Sequence, residues 1–244
     1  MNNGPGILGG FVGALALAIG LVFAGMQVGQ GFVESRLGDR SVTVKGLAER
    51  EVKADLAMWP LKFARRGNNL VAAQEAVDAD IVTVRRYLID QGFNASEIEP
   101  QKLEVRDEGP GYGNNRPVER YTVIQTLLVR SENVDLVADT SRKTGDLVKQ
   151  GIVVFEDWAA QGASFIFTGL NEIKPGMIAE ATQDARAAGE QFANDSGATL
   201  GGIKTANQGY FSVSGRDEIP GVGPEQQINK KVRVVTTVTY YLDD

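Results

Sequence analysis

Three of the chain's pairs of adjacent carboxylates and one glycine-rich loop are residues whose types could do chemistry. The pairs are Asp107-Glu108, Glu156-Asp157 and Asp243-Asp244. Carboxylate oxygens bind hard cations, and two held at a fixed separation across a cleft can hydrolyse a glycosidic bond. None of the pairs has the spacing of a calcium loop, and neighbours in a strand point to opposite faces. They read as solvated charge. Gly109-Pro110-Gly111-Tyr112-Gly113 resembles loops whose backbone N–H groups cradle phosphate. No Gly-Lys-Ser/Thr follows it, GxGxxG is absent, and the next element reads as a strand. The loop is therefore expected to connect strands. Arg65-Arg66, Arg85-Arg86 and Arg142-Lys143 are basic pairs that read as surface charge, with contact between subunits as the alternative. No catalytic residue, metal site or cofactor is expected.

Composition narrows the chemistry further. The chain has no Cys and no His. Disulfides, thiolate nucleophiles, Cys/His zinc sites, imidazole bases and Ser-His-Asp triads are excluded. Lys plus Arg is 25 and Asp plus Glu is 31, for a formal net charge of −6. An acidic chain of this kind lacks the electrostatic footprint of a nucleic-acid binder.

No charged residue occurs between Met1 and Val33. Within this run, Ile7 to Val28 as a helix spans about 33 Å, against about 30 Å for a bilayer's hydrocarbon core. A secretory leader has a shorter apolar run behind a basic start, and no Lys or Arg precedes this one. Val22-Phe23-Ala24 before Gly25 keeps cleavage open as an alternative. The expectation is a retained transmembrane anchor over 1–33, followed by a linker over 34–40. Small residues recur in it at Gly9, Gly13, Ala16, Gly20, Ala24, Gly25 and Gly29. Such spacing lets helix backbones approach closely in lipid, so the anchor is expected to pack against copies of itself. Arg36, Arg40 and Lys45 lie on its C-terminal side, which by the positive-inside rule alone would face the cytoplasm.

The elements that would position any site follow from periodicity. Ser41 to Gly46 alternates as a strand. Val52 to Phe63 reads as a second strand whose parity breaks at Trp59-Pro60, where a bulge or an edge position is expected. Asn68 to Gln91 is the clearest helix, with a stripe of Leu70, Ala73, Val77, Ile81, Val84 and Leu88. Asn68 or Asn69 can cap it and Gly92 can end it. Strands are expected at 98–106 and 118–130, and a helix at 133–150. Ile152 to Phe155 and Ala163 to Thr168 read as strands. A further helix is expected from about Pro175 to Asp195, with Ile178, Ala181, Ala185, Ala188 and Phe192 inward and Gly197 at its end. Strands near 200–213 and 231–242 close the chain. The order argues α+β, with amphipathic helices packed on largely antiparallel sheet and a single transmembrane helix in front. Two glycine-rich loops, Asp107 to Pro117 and Ser214 to Pro224, suggest two similar α+β halves. Their tips, Gly109, Gly111, Tyr112 and Gly113 in the first and Pro220, Gly221 and Gly223 in the second, are candidate subunit contacts.

Ser41 to Trp59, Leu88 to Ile98, Tyr121 to Arg130, Asn171 to Ala181, Asn207 to Val213 and Lys231 to Tyr240 resemble the SIMPL domain. The resemblance covers about 41–242, and its motifs fall on Gly46, Asp55, Lys174, Pro175, Asn207, Gln208, Gly209 and Phe211. It implies an α+β envelope protein that faces the bacterial periplasm and tends to self-assemble, with oxidative-stress defence as one family association. The expected function is a homo-oligomeric, inner-membrane-anchored envelope protein with a structural or stress-protective role. The partners expected are copies of itself and the lipid bilayer, with no nucleic acid. A sensory or small-molecule or peptide-binding module is the alternative, and a carboxylate enzyme ranks last.

Overall fold

The structure, a computed structural model, describes residues 40–109, 119–155 and 162–243. It also describes Gly13, Leu15, Leu17, Ala18, Gly20, Leu21, Val22, Ala24, Gly25 and Met26, all helical. Expectations placed on Gly9, Ala16, Gly29, the 34–39 linker, Gly111, Tyr112, Gly113, Glu156, Asp157 and Asp244 lie outside these residues. Among the described residues, no helix is long and apolar enough to cross a membrane. The fold is α+β with antiparallel sheets, as the sequence led us to expect. It divides into two compact units, one of 1–48, 178–210 and 234–244, the other of 49–177 and 211–233.

The larger unit holds a four-stranded sheet in the order β3-β4-β2-β5. Its strands are β2 (Leu56–Gly67), β3 (Ile98–Asp107), β4 (Tyr121–Ser131) and β5 (Ser164–Ile166). Helix α1 (Leu70–Asp90) lies on the sheet because its large aliphatic side chains recur every three or four residues. Ala73, Val77, Val84 and Leu88 of the expected stripe are buried, and Ile81 packs at the edge. Leu70 is exposed. Asn69 is the cap: its Oδ1 accepts from Val71 N at 2.9 Å and Ala72 N at 3.2 Å. Gly92, at φ 108°, ends the helix. Trp59, Leu61, Phe63, Leu127, Val129, Leu147 and Phe165 complete the core.

Two expectations for this unit are corrected. β2 shows no parity break: Ala57, Trp59, Leu61 and Phe63 all face the core, in continuous register with β4 from Ala57↔Ser131 to Gly67↔Tyr121. Leu56 and Met58 lie on the opposite face. Pro60 fits without a bulge because of where its missing donor points. Ala64 donates its N–H to Val153 O and Lys62 O accepts from Phe155 N, so the even residues direct their backbone groups away from β4. The single helix expected over 133–150 is two, α2 (Val134–Ser141) and α3 (Gly145–Lys149). Thr140, Ser141, Thr144 and Gly145 are weak helix formers, and Ser141 Oγ donates back to Ala138 O.

The second sheet has the order β1-β8-β6, where β1 is Ser41–Lys53, β6 is Thr199–Gln208 and β8 is Asn229–Asp243; the smaller unit holds residues 41–48 of β1, β6 and residues 234–243 of β8. The last helix, α4 (Leu170–Ser196), packs on it through Ala181, Ala185, Gly189 and Ala193. Val42, Val238 and Tyr240 meet Ala185, with Val44, Leu200 and Leu242 around them. The expected stripe is therefore corrected: Ala188 and Phe192 are exposed, and Gly189 and Ala193 point inward. Close approach decides this. A Cβ at Gly46 of β1 would stand 1.8 Å from Ala181 O and 2.4 Å from Ala185 N, so only small residues fit between strand and helix. Leu47 N also donates to Asp184 Oδ2 at 2.9 Å.

Candidate functional site

The second glycine-rich loop is described throughout and belongs to the larger unit. β7 (Ser212–Gly215) pairs with Lys230–Arg233 of β8, and Arg216 N extends the ladder to Asn229 O. Beyond that the loop is braced from inside. The Gln227 side chain accepts from Asp217 N at 3.1 Å and donates to Asp217 O at 2.7 Å. Gly221, at φ 79°, makes the turn. Gly223 N donates to Gln226 Oε1, opening a short 3-10 turn over Pro224–Gln226. Buried Lys230 sends its ammonium to Pro224 O at 2.6 Å, and burial pushes its pKa down.

This bracing holds an apolar tip in solvent: Ile219, Pro220 and Val222 are all exposed. A cleft of about 780 Å³ lies on one side, lined by Glu49, Ser212, Arg216, Asp217, Lys231 and Arg233. A second of about 510 Å³ is lined by Ala138, Arg142, Phe165 and Gln226. The charges are matched. Arg216 bonds Asp217 through Nε at 3.0 Å and Nη2 at 2.8 Å, which holds the Asp217 carboxyl below its usual range. Glu49 faces Arg233 at 3.6 Å. A carboxylate held ionised by an arginine is a poor general acid at neutral pH but a good partner for charged contact.

The first glycine-rich loop is clamped at its base. Arg120 grips Asp107 through Nε at 2.9 Å and Nη2 at 2.8 Å, and its guanidinium lies 4.9 Å from the centre of the Tyr121 ring. Gly109, at φ 68°, donates to Asp107 Oδ1. The Arg120 guanidinium and the Gly109 N–H pull the Asp107 pKa down to about 2. Asp107 is thus an anchor for the loop rather than one half of a cation site with Glu108.

The motif residues serve the fold. Gly46 supplies the close contact of β1 with α4. Asp55 caps α4: its carboxylate accepts from Thr168 N at 2.8 Å and Gly169 N at 3.1 Å, where the helix's N-terminal N–H groups lack partners. The expected start at Pro175 is corrected: α4 begins at Leu170, and Pro175 is its sixth residue. Lys174 Nζ stands 5.9 Å from the Phe211 ring centre and donates to Asn171 Oδ1. Asn207 and Gln208 sit on β6 opposite Thr237 and Thr236. Gly209 N donates to Val235 O, so close that a Cβ would come within 2.6 Å of that oxygen. Among the described residues, no three carboxylates converge as a metal site.

Adjacency in sequence concealed one feature. Arg65 and Arg66 point to opposite faces of β2. Arg65 forms a two-pronged pair with buried Asp80 of α1, at 2.5 and 2.7 Å. Arg66 lies on the other face, level with Thr122 of β4 and Arg106 of β3. Strand alternation is the signal that separates them.

The chain belongs to the SIMPL family. The family model described as "Protein of unknown function (DUF541)" matches residues 42–240. No curated protein matches the chain. Among solved structures it is similar to the crystal structure of an uncharacterized conserved protein from Listeria innocua. The identity is 13%, over 76% of this chain and 90% of that one, with a TM-score of 0.20.

Proposed function

We propose that this protein is held in the bacterial inner membrane by its N-terminal helix and faces the periplasm with its folded units. There it works as a homo-oligomer with a structural or stress-protective role. One observation carries the reading. Leu15, Leu17, Leu21, Val22 and Met26 are helical and between 61% and 68% exposed. Among the described residues, nothing lies within 4 Å of where a Cβ would stand at Gly13, Gly20 or Gly25. A helix that turns apolar side chains outward is stable in lipid, and open small residues let a second backbone approach. The braced tip at Ile219, Pro220 and Val222 offers a second contact surface outside the membrane. The periplasmic side rests on the family resemblance.

Membrane fractionation tests the anchor. The full chain is expected to remain in the membrane pellet after alkaline carbonate, and a chain lacking residues 1–33 to leave it. Recovery of the full chain in the soluble fraction would overturn the proposal. Sidedness can be read without background because the chain has no Cys. Ser96→Cys, at an exposed position, is expected to react with an impermeant maleimide in intact spheroplasts. Labelling only after lysis would place the domain in the cytoplasm.

A further inference from the structure

The open face of the β3-β4-β2 sheet carries a cavity of about 570 Å³ within the larger unit. Three strands bring three polar side chains into line across it: Arg106 of β3, Thr122 of β4 and Arg66 of β2, paired in register. Residues paired on antiparallel strands share a face, so both guanidinium groups rise from the same side with a hydroxyl between them. Neighbouring strands lie about 4.8 Å apart. The two arginines therefore start from backbones about 10 Å apart, within reach of one small anion. Arg66's guanidinium has no ion pair or hydrogen bond among the described residues. Arg106 has one long contact, 3.5 Å to Glu104, whose nearer partner is Lys102 at 3.0 Å. The third arginine of the cavity, Arg65, is committed to Asp80.

On the Ile124 side of the arginine row the lining is apolar. Ile124, buried, and Ala64 lie one pairing step along the same face, with Val153 and Phe155 beside them. Glu108 and Glu119 line the far end, beyond the arginines in strand order. They limit how large a negatively charged ligand can be, because a second anionic group placed toward them would be repelled. The volume falls in the range of small-molecule sites, which combine apolar walls with a few orienting polar groups.

We propose that this cavity binds a small organic anion, with one carboxylate clasped by Arg66 and Arg106 and an apolar body laid over Ile124 and Phe155. Guanidinium groups meet carboxylates through parallel, charge-assisted hydrogen bonds, and the Thr122 hydroxyl is placed to donate a further one. The inference is independent of the membrane anchor and of self-assembly, since it uses only side chains of the larger unit.

Isothermal titration of the full chain in mild detergent with phenylacetate tests it, with phenylacetamide as the uncharged analogue and inorganic phosphate as the anion without an apolar body. Phenylacetate is expected to bind saturably and more weakly as salt rises. Phenylacetamide and phosphate are each expected to bind at least about tenfold more weakly. Arg66→Gln and Arg106→Gln are each expected to weaken phenylacetate about tenfold while melting like wild type. Arg130→Gln, on the same face outside the cavity, should leave affinity unchanged. The proposal fails if phenylacetate gives no saturable heat, if the amide or phosphate binds equally well, or if Arg66→Gln and Arg106→Gln bind like wild type.

Discussion

Gly46→Ala perturbs the closest contact of any described glycine. The new Cβ would stand 1.8 Å from Ala181 O, 2.4 Å from Ala185 N and 2.8 Å from Ala185 Cβ. Real Cβ contacts essentially never fall under 3.0 Å, so strand and helix must separate by about 1.2 Å at that point. Two of the three opposing atoms are backbone, so no rotamer change relieves the clash. Retreat of α4 would open a gap along Val42, Val238 and Tyr240, which pack against Ala185. A gap of that order forfeits about a quarter to a half of each lost dispersion contact. Overpacking of a tight core costs about 1–3 kcal/mol, and this rigid case belongs at about 3 kcal/mol. For a folded region of this size that lowers Tm by about 6–12 °C. Differential scanning calorimetry of the full chain in detergent reads the effect. Gly145→Ala is the control: a built Cβ there meets nothing within 4 Å, and the residue opens α3. It should be neutral or stabilising by up to about 1 kcal/mol. A Gly46→Ala protein that melts within about 2 °C of wild type would refute the packing argument.

Three further outcomes follow from the same geometry. Asp55→Ala removes the acceptor for Thr168 N and Gly169 N and is expected to cost about 1–2 kcal/mol, read as a lower urea midpoint with unchanged slope. Arg65→Ala strands the buried Asp80 carboxylate and is expected to cost about 3 kcal/mol, at the low end for such pairs because Arg65 is a third exposed. Adding Asp80→Ala should recover part of that loss in a double-mutant cycle. Asp107 has a folded pKa of about 2, below its unfolded value near 3.8. Its contribution is present above about pH 4 and is lost as pH falls through 2. The Asp107 carboxyl carbon should titrate near 2 by NMR, and Arg120→Gln should return it toward 3.8.

The sequence made α1 and β4 legible because large aliphatic side chains mark their buried faces, at helical spacing in one and on alternate residues in the other. α4 was less so. Its buried face is Ala181, Ala185, Gly189 and Ala193, and small residues carry little signal when faces are judged by apolar bulk. Phe192 drew the expected stripe to the wrong side. At the start of α4 the partner of Thr168 N and Gly169 N is Asp55, from the link between β1 and β2, and no local pattern announces a partner so far away in sequence. β2 was misjudged at Pro60 because whether a missing N–H matters depends on which neighbour the strand turns toward it. Arg66, Thr122 and Arg106 come from three strands, and of these only Arg66 stood out in the sequence, as half of a pair whose members face opposite ways.

The central claim is that copies of this chain assemble through a lipid-embedded N-terminal helix. Light scattering of the full chain in mild detergent, with the detergent mass separated, tests it most directly. The account predicts a protein mass that is a multiple of the 26.2 kDa chain, falling when Gly20 and Gly25 are both replaced by leucine. A mass of 26.2 kDa for the unaltered chain would contradict it.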